Sequence, residues 1–205
     1  MNFNYFALHY LNLWLTQDQG FCQGLEGHDE VGKLKAIADA AAFYKVARNL
    51  PKAHDIGEGI LRYKPVLDVI DGIDPNKFQE PQLIESITAV HNQISEKYEG
   101  RGVTSLTTKF LWLKMKSPII IYDRRASKAL HITVRNICDY RTYYAEWLRQ
   151  FQLFSDGINT ACTLLPSVHE YSAPNAPSSQ EVQKLASQQW FKQRVFDVYL
   201  WEQGG

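Results

Sequence analysis

The sequence is poor in cysteine and has no long apolar run. Its three cysteines, Cys22, Cys138 and Cys162, lie far apart, and none belongs to a CxxC or Cys/His pattern with metal-ligand spacing. This argues against a disulfide framework and a zinc site, and favours a reducing cytoplasm. No apolar stretch approaches the ~20 residues that span a bilayer, so we expect no membrane partner. No pattern indicates a metal or an organic cofactor.

The chain also lacks net charge, but its charges are unevenly distributed. Lys and Arg number 22, as do Asp and Glu. Residues 101–149 carry ten Lys or Arg and three Asp or Glu, a net charge of +7, whereas residues 55–100 carry four and nine, a net charge of −5. Because attraction to phosphates is local, a neutral protein with one basic region can still bind DNA. The same cations are equally compatible with solvated helix faces.

Helical spacing of apolar residues runs through nearly the whole chain. Apolar residues make up 45% of the sequence and aromatic residues 13%, enough for a sizeable core. We predict an all-α fold of about eight helices in one compact domain over residues 1–205. The alternative arrangement is two lobes with a cleft between them near residues 100–130. Three glycines within residues 17–30 predict a loop, and Asp29 should cap the following helix.

The second half of the chain contains further helical patterns. Residues 134–154 predict one long helix, and residues 179–201 predict the last one. Prolines and small polar residues at 166–180 predict an irregular surface loop. The segment Pro118–Ile121 looks like a strand but is too short to build a sheet.

The segment Thr104–Leu130 carries the residues that point to chemistry. A short polar stretch, Ser105–Thr108, predicts a turn, and an apolar helix should open at Lys109 directly after it. Fourteen residues further on, Asp123 stands where the next helix should begin, and two arginines follow it. This pattern places an amine and a carboxylate near each other on short, rigid elements.

Three stretches in this sequence resemble known DNA glycosylases. They are TKFLWL at residues 108–113, PIIIYDRRASKAL at residues 118–130 and VFDVYLW at residues 195–201. The first two are similar to the lysine–aspartate core of the helix-hairpin-helix DNA glycosylase superfamily, and all three to bacterial proteins with an 8-oxoguanine-glycosylase-like fold. The resemblance implies that Lys109 is an amine nucleophile able to form a Schiff base. It implies that Asp123 is the carboxylate that stabilises an oxocarbenium-like sugar.

The resemblance further implies a cytoplasmic, monomeric DNA glycosylase that acts on double-stranded DNA. Such an enzyme flips a damaged or modified base out of the stack and hydrolyses its N-glycosidic bond, with AP-lyase activity as an additional option. The base would be 8-oxoguanine, which implies base-excision DNA repair, or a modified base of phage DNA, which implies phage defence. No cofactor is implied.

The remaining expected contacts fall around the two catalytic residues. The expected DNA-binding residues are Thr107, Thr108, Arg124, Arg125, Lys128 and Arg135. The expected base-pocket residues are Trp112, Tyr122 and Tyr144.

Each of these residues has an ordinary structural alternative. Lys109 can be a solvated helix residue, Asp123 a plain N-cap, and the aromatic rings parts of the core. Threonines also stand where the superfamily has glycines in its hairpin turn. This replacement favours a second hypothesis, a non-catalytic helical module that binds DNA or protein with the same fold.

Overall fold

The computed structural model describes residues 2–51, 59–173 and 177–205, and these residues contain helices and turns but no β-strand. The predicted all-α class is therefore confirmed. None of the helices in these ranges is both long and apolar enough to cross a membrane. The α-helices are α1 (Asn4–Leu13), α2 (Gln19–Glu26), α3 (Glu30–Phe43), α4 (Lys64–Asp71), α5 (Leu83–Lys97), α6 (Thr104–Met115), α7 (Arg124–Ala129), α8 (Tyr140–Leu164), α9 (Ser179–Ala186) and α10 (Gln189–Gln203).

Two segments that the sequence predicts as turns are helical instead. Most of residues 17–30 belongs to α2, which a π-helical segment, Trp14–Asp18, joins to α1. The polar stretch Ser105–Thr108 forms the first half of α6, so Lys109 lies in the middle of a helix rather than at its start. The cap at Asp29 is confirmed, because its carboxylate accepts a hydrogen bond from the backbone N–H of Gly32.

Several boundaries in the second half also differ from the predictions. The long helix α8 begins and ends later than residues 134–154. The predicted last helix is two helices, α9 and α10, which meet at Ser187 and Gln188. The predicted loop contains a 3-10 helix, Leu165–Tyr171, while its residues 174–176 lie outside the described part of the chain.

The chain divides into two compact units. The α10 unit comprises Met1–Gln17, Asp123–Val134 and Thr142–Gly205. The α6 unit comprises Asp18–Tyr122 and Arg135–Arg141. The boundary at Tyr122 and Asp123 therefore divides the segment on which the glycosylase resemblance depends.

Helix α6 is the central helix of its unit. It contacts α2, α4 and α5, and its residues Leu106–Leu113 are all buried, as is Thr104. A helix that is buried around its whole circumference lies inside the core of its unit. Its central position explains why Lys109, on this helix, is buried.

Helix α10 has the corresponding position in the other unit. It contacts α1, α7 and α9, and its residues Phe191 and Val195–Leu200 are buried around most of its circumference. Aromatic rings dominate this core: the Phe196 ring centre lies 5.1 Å from that of Trp147 and 5.8 Å from that of Tyr199. Edge-to-face and stacked aromatic pairs of this kind are favourable beyond the area they bury.

Candidate functional site

Lys109 is a buried lysine with its ammonium group held in place. Only 3% of the residue is exposed. Its Nζ donates to the Ser105 hydroxyl at 2.8 Å, one helical turn earlier, and to the Tyr122 carbonyl at 3.2 Å. Because a buried ammonium is costly unless it is hydrogen-bonded, these acceptors reduce the cost of burying it.

The extended segment that ends at Tyr122 is tied to α6 by side chains. The Tyr122 N–H donates to the Thr108 hydroxyl at 3.0 Å, and the Ser105 hydroxyl donates to the Tyr122 carbonyl at 3.1 Å. The Tyr140 hydroxyl donates to the Ile120 carbonyl at 2.6 Å. Backbone groups away from water need such partners, and side chains supply them here in place of a neighbouring strand. The carbonyl that accepts from Lys109 is thereby fixed in position.

Tyr44, on a distant part of the sequence, also borders the lysine. The Lys109 Nζ lies 5.6 Å from the centre of the Tyr44 ring, within the range of a cation–π interaction. The Tyr44 hydroxyl donates to the carboxylate of Asp18 at 2.5 Å, and Asp18 is buried. The Phe43 ring lies 5.1 Å from the Tyr44 ring and is 39% exposed. The Tyr44 and Phe43 rings therefore form an aromatic pair, in which Tyr44 lies near the buried amine and Phe43 is partly exposed.

The structure places Thr107 and Thr108 inside the α6 unit. Both are fully buried. The Thr108 hydroxyl donates to the Thr104 carbonyl at 3.1 Å, and that of Thr107 has no hydrogen-bond partner among the described residues. A buried hydroxyl cannot reach a phosphate, so the predicted DNA contacts of these two threonines do not fit this structure.

The predicted base pocket is only partly accessible. Trp112 and Tyr144 are buried, with 1% and 9% of their surface exposed, so their rings belong to the core here. Tyr122 is half-buried, and its backbone makes the bonds to α6. The sequence did not single out Tyr44, a half-buried ring near Lys109, or its neighbour Phe43, which is 39% exposed.

Asp123 begins α7, as the sequence predicts. Its Oδ1 accepts from the Arg125 N–H at 2.9 Å, which is the hydrogen bond of an N-cap. In the chain it follows Tyr122 directly, but it belongs to the α10 unit. The exposed Arg124, Arg125 and Lys128 lie on the same short helix.

The basic segment 101–149 is partly neutralised by nearby carboxylates. Arg141 pairs with Glu85 at 2.5 Å, and Arg149 pairs with Glu146 at 2.7 Å. Arg135 is exposed in the α6 unit, separate in the chain from the three cations of α7. Only part of the net charge of +7 on residues 101–149 therefore remains available to bind an external anion.

Lys114, also in the basic segment, shares Asp71 with Lys33. The carboxylate accepts from Lys114 at 3.1 Å and from Lys33 at 2.6 Å. Burial alone would raise the pKa of Asp71, but these two hydrogen bonds outweigh it and lower the pKa.

Neither a metal centre nor a known relative identifies the site. Over residues 2–51, 59–173 and 177–205, no three His, Cys, Asp or Glu side chains are grouped so that they could hold a metal ion. No protein-family model, no curated protein and no solved structure matches the chain.

Proposed function

We propose that the protein is a DNA glycosylase-like enzyme that cleaves the N-glycosidic bond of a damaged or modified base, with Lys109 as its amine. The observation that carries the proposal is a lysine, 3% exposed, whose ammonium is held between the Ser105 hydroxyl and the Tyr122 carbonyl. Burying an ammonium costs free energy, so a lysine kept there is a candidate for a functional role. The two hydrogen-bond acceptors also hold the Lys109 Nζ in one orientation, and attack on a single carbon atom requires a nucleophile that is oriented in this way.

In the proposed reaction, the flipped nucleotide displaces the groups that cover Lys109 in this structure, and Lys109 reacts as the unprotonated amine after its ammonium has given up a proton. Nζ attacks the anomeric carbon of the flipped nucleotide, the bond to the base nitrogen breaks, and the base leaves with the electron pair and takes up a proton. The sugar ring then opens to an imine on Nζ, which water hydrolyses. Asp123, the residue after Tyr122, is proposed as the carboxylate that stabilises positive charge on the sugar.

Tyr44 is proposed as the ring that holds the flipped base. Its ring centre lies 5.6 Å from the Lys109 Nζ, and its hydroxyl is anchored on the buried Asp18. Enzymes that act on bases extrude them from the stack and hold them against aromatic side chains. The exposed edge of Phe43 extends the same aromatic surface.

The first test is incubation with duplexes that carry oxidised, deaminated, alkylated or glucosylated bases, with borohydride added to trap an imine. We expect base release and a trapped adduct with one class of base. Lys109→Gln should lose the adduct, because a glutamine amide is not nucleophilic. Lys114→Gln is the matched control, since it makes the same change on the same helix at a lysine that pairs with Asp71. Circular dichroism checks that both variants fold.

A second variant separates the two roles of Asp123. Asparagine caps helices about as well as aspartate, so Asp123→Asn should preserve the start of α7 while removing the carboxylate charge. We expect excision to fall by roughly 10²-fold or more, in line with the loss of one transition-state stabiliser, while DNA binding stays largely intact. Unchanged excision by Asp123→Asn would remove Asp123 from the proposed mechanism.

Other outcomes lead to defined alternatives. Base release without an adduct would keep the glycosylase and assign the attack to water. DNA binding with no base release from any duplex would favour the non-catalytic binding module. The observation that supports this second candidate is the helical course of Ser105–Thr108, where a glycosylase of this superfamily has a hairpin turn.

A further inference from the structure

Three cations and one aromatic ring form an exposed surface in the α10 unit. Arg124, Arg125 and Lys128 lie on α7, and Trp201 lies near the end of α10 with 48% of its surface exposed. We call these four residues the α7 platform. Arg124 makes no ion pair or side-chain hydrogen bond with the residues that the structure describes. The platform thus combines positive charge with an accessible ring.

Three of the four platform residues are held by contacts within the α10 unit. The Arg125 guanidinium lies 4.1 Å from the centre of the Trp201 ring, and the Lys128 Nζ lies 3.4 Å from the Gly205 carbonyl oxygen. At Gly204, an added Cβ would lie 1.9 Å from the Arg125 carbonyl oxygen, so the backbones of α7 and α10 touch. Because Arg125, Lys128 and Trp201 already have partners in the folded chain, holding them in place on binding would cost less conformational entropy.

We propose that the α7 platform binds the sugar–phosphate backbone of a nucleic acid, with a base or sugar against Trp201. Arginines bind phosphates through two parallel hydrogen bonds, and an aromatic ring beside them suits a planar base. Two carboxylates stand next to these residues in the sequence, Asp123, whose Oδ1 caps α7, and Glu202, against three cations. Clusters that bind an anionic membrane typically have about four to eight cations, whereas the platform has three.

The choice of DNA over RNA rests on the proposed function, whereas the placement of the surface does not. The probe is therefore a labelled, unmodified DNA duplex, and the readout is its fluorescence anisotropy across about 50–200 mM salt. Arg124→Gln and Lys128→Gln should each lower the salt-dependence slope by about 0.9 and weaken affinity at low salt. Trp201→Leu should weaken binding by about tenfold through the loss of stacking.

Arg149→Gln is the control, since Arg149 is another exposed arginine of the α10 unit and pairs with Glu146. It should leave both slope and affinity unchanged. Platform variants that bind like the wild type, or a protein that binds only anionic vesicles, would overturn the proposal. If the double variant Arg124→Gln/Lys128→Gln still releases the base and binds DNA with unchanged affinity, the α7 platform is not the DNA-binding surface, while the glycosylase proposal stands. If DNA binding depends on the platform but no base is released, the platform proposal stands and the glycosylase proposal fails.

Discussion

At the scale of single residues, each of the two central helices carries a buried charged side chain that is held by hydrogen bonds. On α10, Arg194 and Asp197 are buried and form an ion pair at 3.0 Å across one helical turn. The Trp147 indole N–H adds a hydrogen bond to the same carboxylate at 2.8 Å. On α6, the Lys109 ammonium donates to the Ser105 hydroxyl and to the Tyr122 carbonyl.

The Arg194–Asp197 pair gives a direct stability prediction. Asp197→Asn retains an oxygen for the Trp147 N–H but leaves the buried guanidinium without the charge of its partner. Breaking a buried ion pair from one side typically destabilises by about 3 kcal/mol or more. We expect a loss of this size in the free energy of unfolding, measured by urea denaturation at pH 7.

Glu146→Gln is the matched control for this prediction. Glu146 and Arg149 form a pair with the same spacing, three residues apart, but the arginine is 59% exposed. Exposed pairs contribute about 0–1 kcal/mol, so this variant should be nearly as stable as the wild type. Equal losses in the two variants would show that burial does not set the strength of the pair at Asp197.

At the scale of helices, contact between α7 and α10 depends on a residue without a side chain. Gly204 has φ −92° and ψ 3°, which any residue can adopt, so the need for glycine is one of space. The added methyl group of Gly204→Ala would overlap the Arg125 carbonyl oxygen, and one helix would have to move. We expect a loss of about 1–3 kcal/mol in the free energy of unfolding, measured by chemical denaturation.

The control for Gly204→Ala makes the same change where there is room. Gly20 lies within α2, and an added Cβ would meet no heavy atom within 4 Å. Since alanine favours a helix over glycine by about 1 kcal/mol, Gly20→Ala should stabilise the protein. A stabilising effect at Gly204 as well would contradict the close approach of the two helices.

Helix starts that are marked by an N-cap residue could be predicted from the sequence. Helices whose residues are explained by packing against another helix could not. Asp29 and Asp123 were predicted as helix starts because an N-cap is a local hydrogen bond. Gly24 was interpreted as part of a loop, yet it lies in α2, where an added Cβ would be 2.5 Å from the Ala36 Cβ of α3. A glycine that admits a neighbouring helix and a glycine that makes a turn look alike in a sequence.

The candidate site shows the same limit. Lys109 and Asp123 were found because they stand in one short stretch of sequence. Tyr44 and Asp18 were missed, since only the folded α6 unit brings Tyr44 beside the lysine and Asp18 beside Tyr44. The stretch before Lys109 was predicted as a turn because it is short and polar, but in α6 the Thr108 hydroxyl bonds back to the helix.

At the scale of the whole molecule, one buried histidine should link stability to pH. His91 is 7% exposed, and its Nε2 has no hydrogen-bond partner among the described residues. Burial lowers the pKa of His91 below its ordinary value of 6.5, although a hydrogen bond to Asn92 partly opposes this. The folded state therefore favours the neutral ring.

The sign of the expected pH effect follows from that lowered pKa. Above about pH 6.5 the histidine is neutral in both states and its contribution is fully present. Below this pH the unfolded chain binds a proton before the folded one does, so stability falls. We expect the urea midpoint to drop as the pH falls below about 6.5, and His91→Gln should flatten this drop. His28→Gln, at an exposed position, should leave it unchanged.

The contact between α1 and α10 has a consequence for how a cell makes this protein. The ribosome delivers the chain from its N-terminal end, so α1 emerges long before its partner helix. The apolar side chains of Phe3, Tyr10 and Leu11 stay uncovered by α10 until Gln189–Gln203 have been made. Residues 18–122, by contrast, form most of the α6 unit and can fold as they emerge. The first helix is therefore where we expect a nascent-chain chaperone to bind.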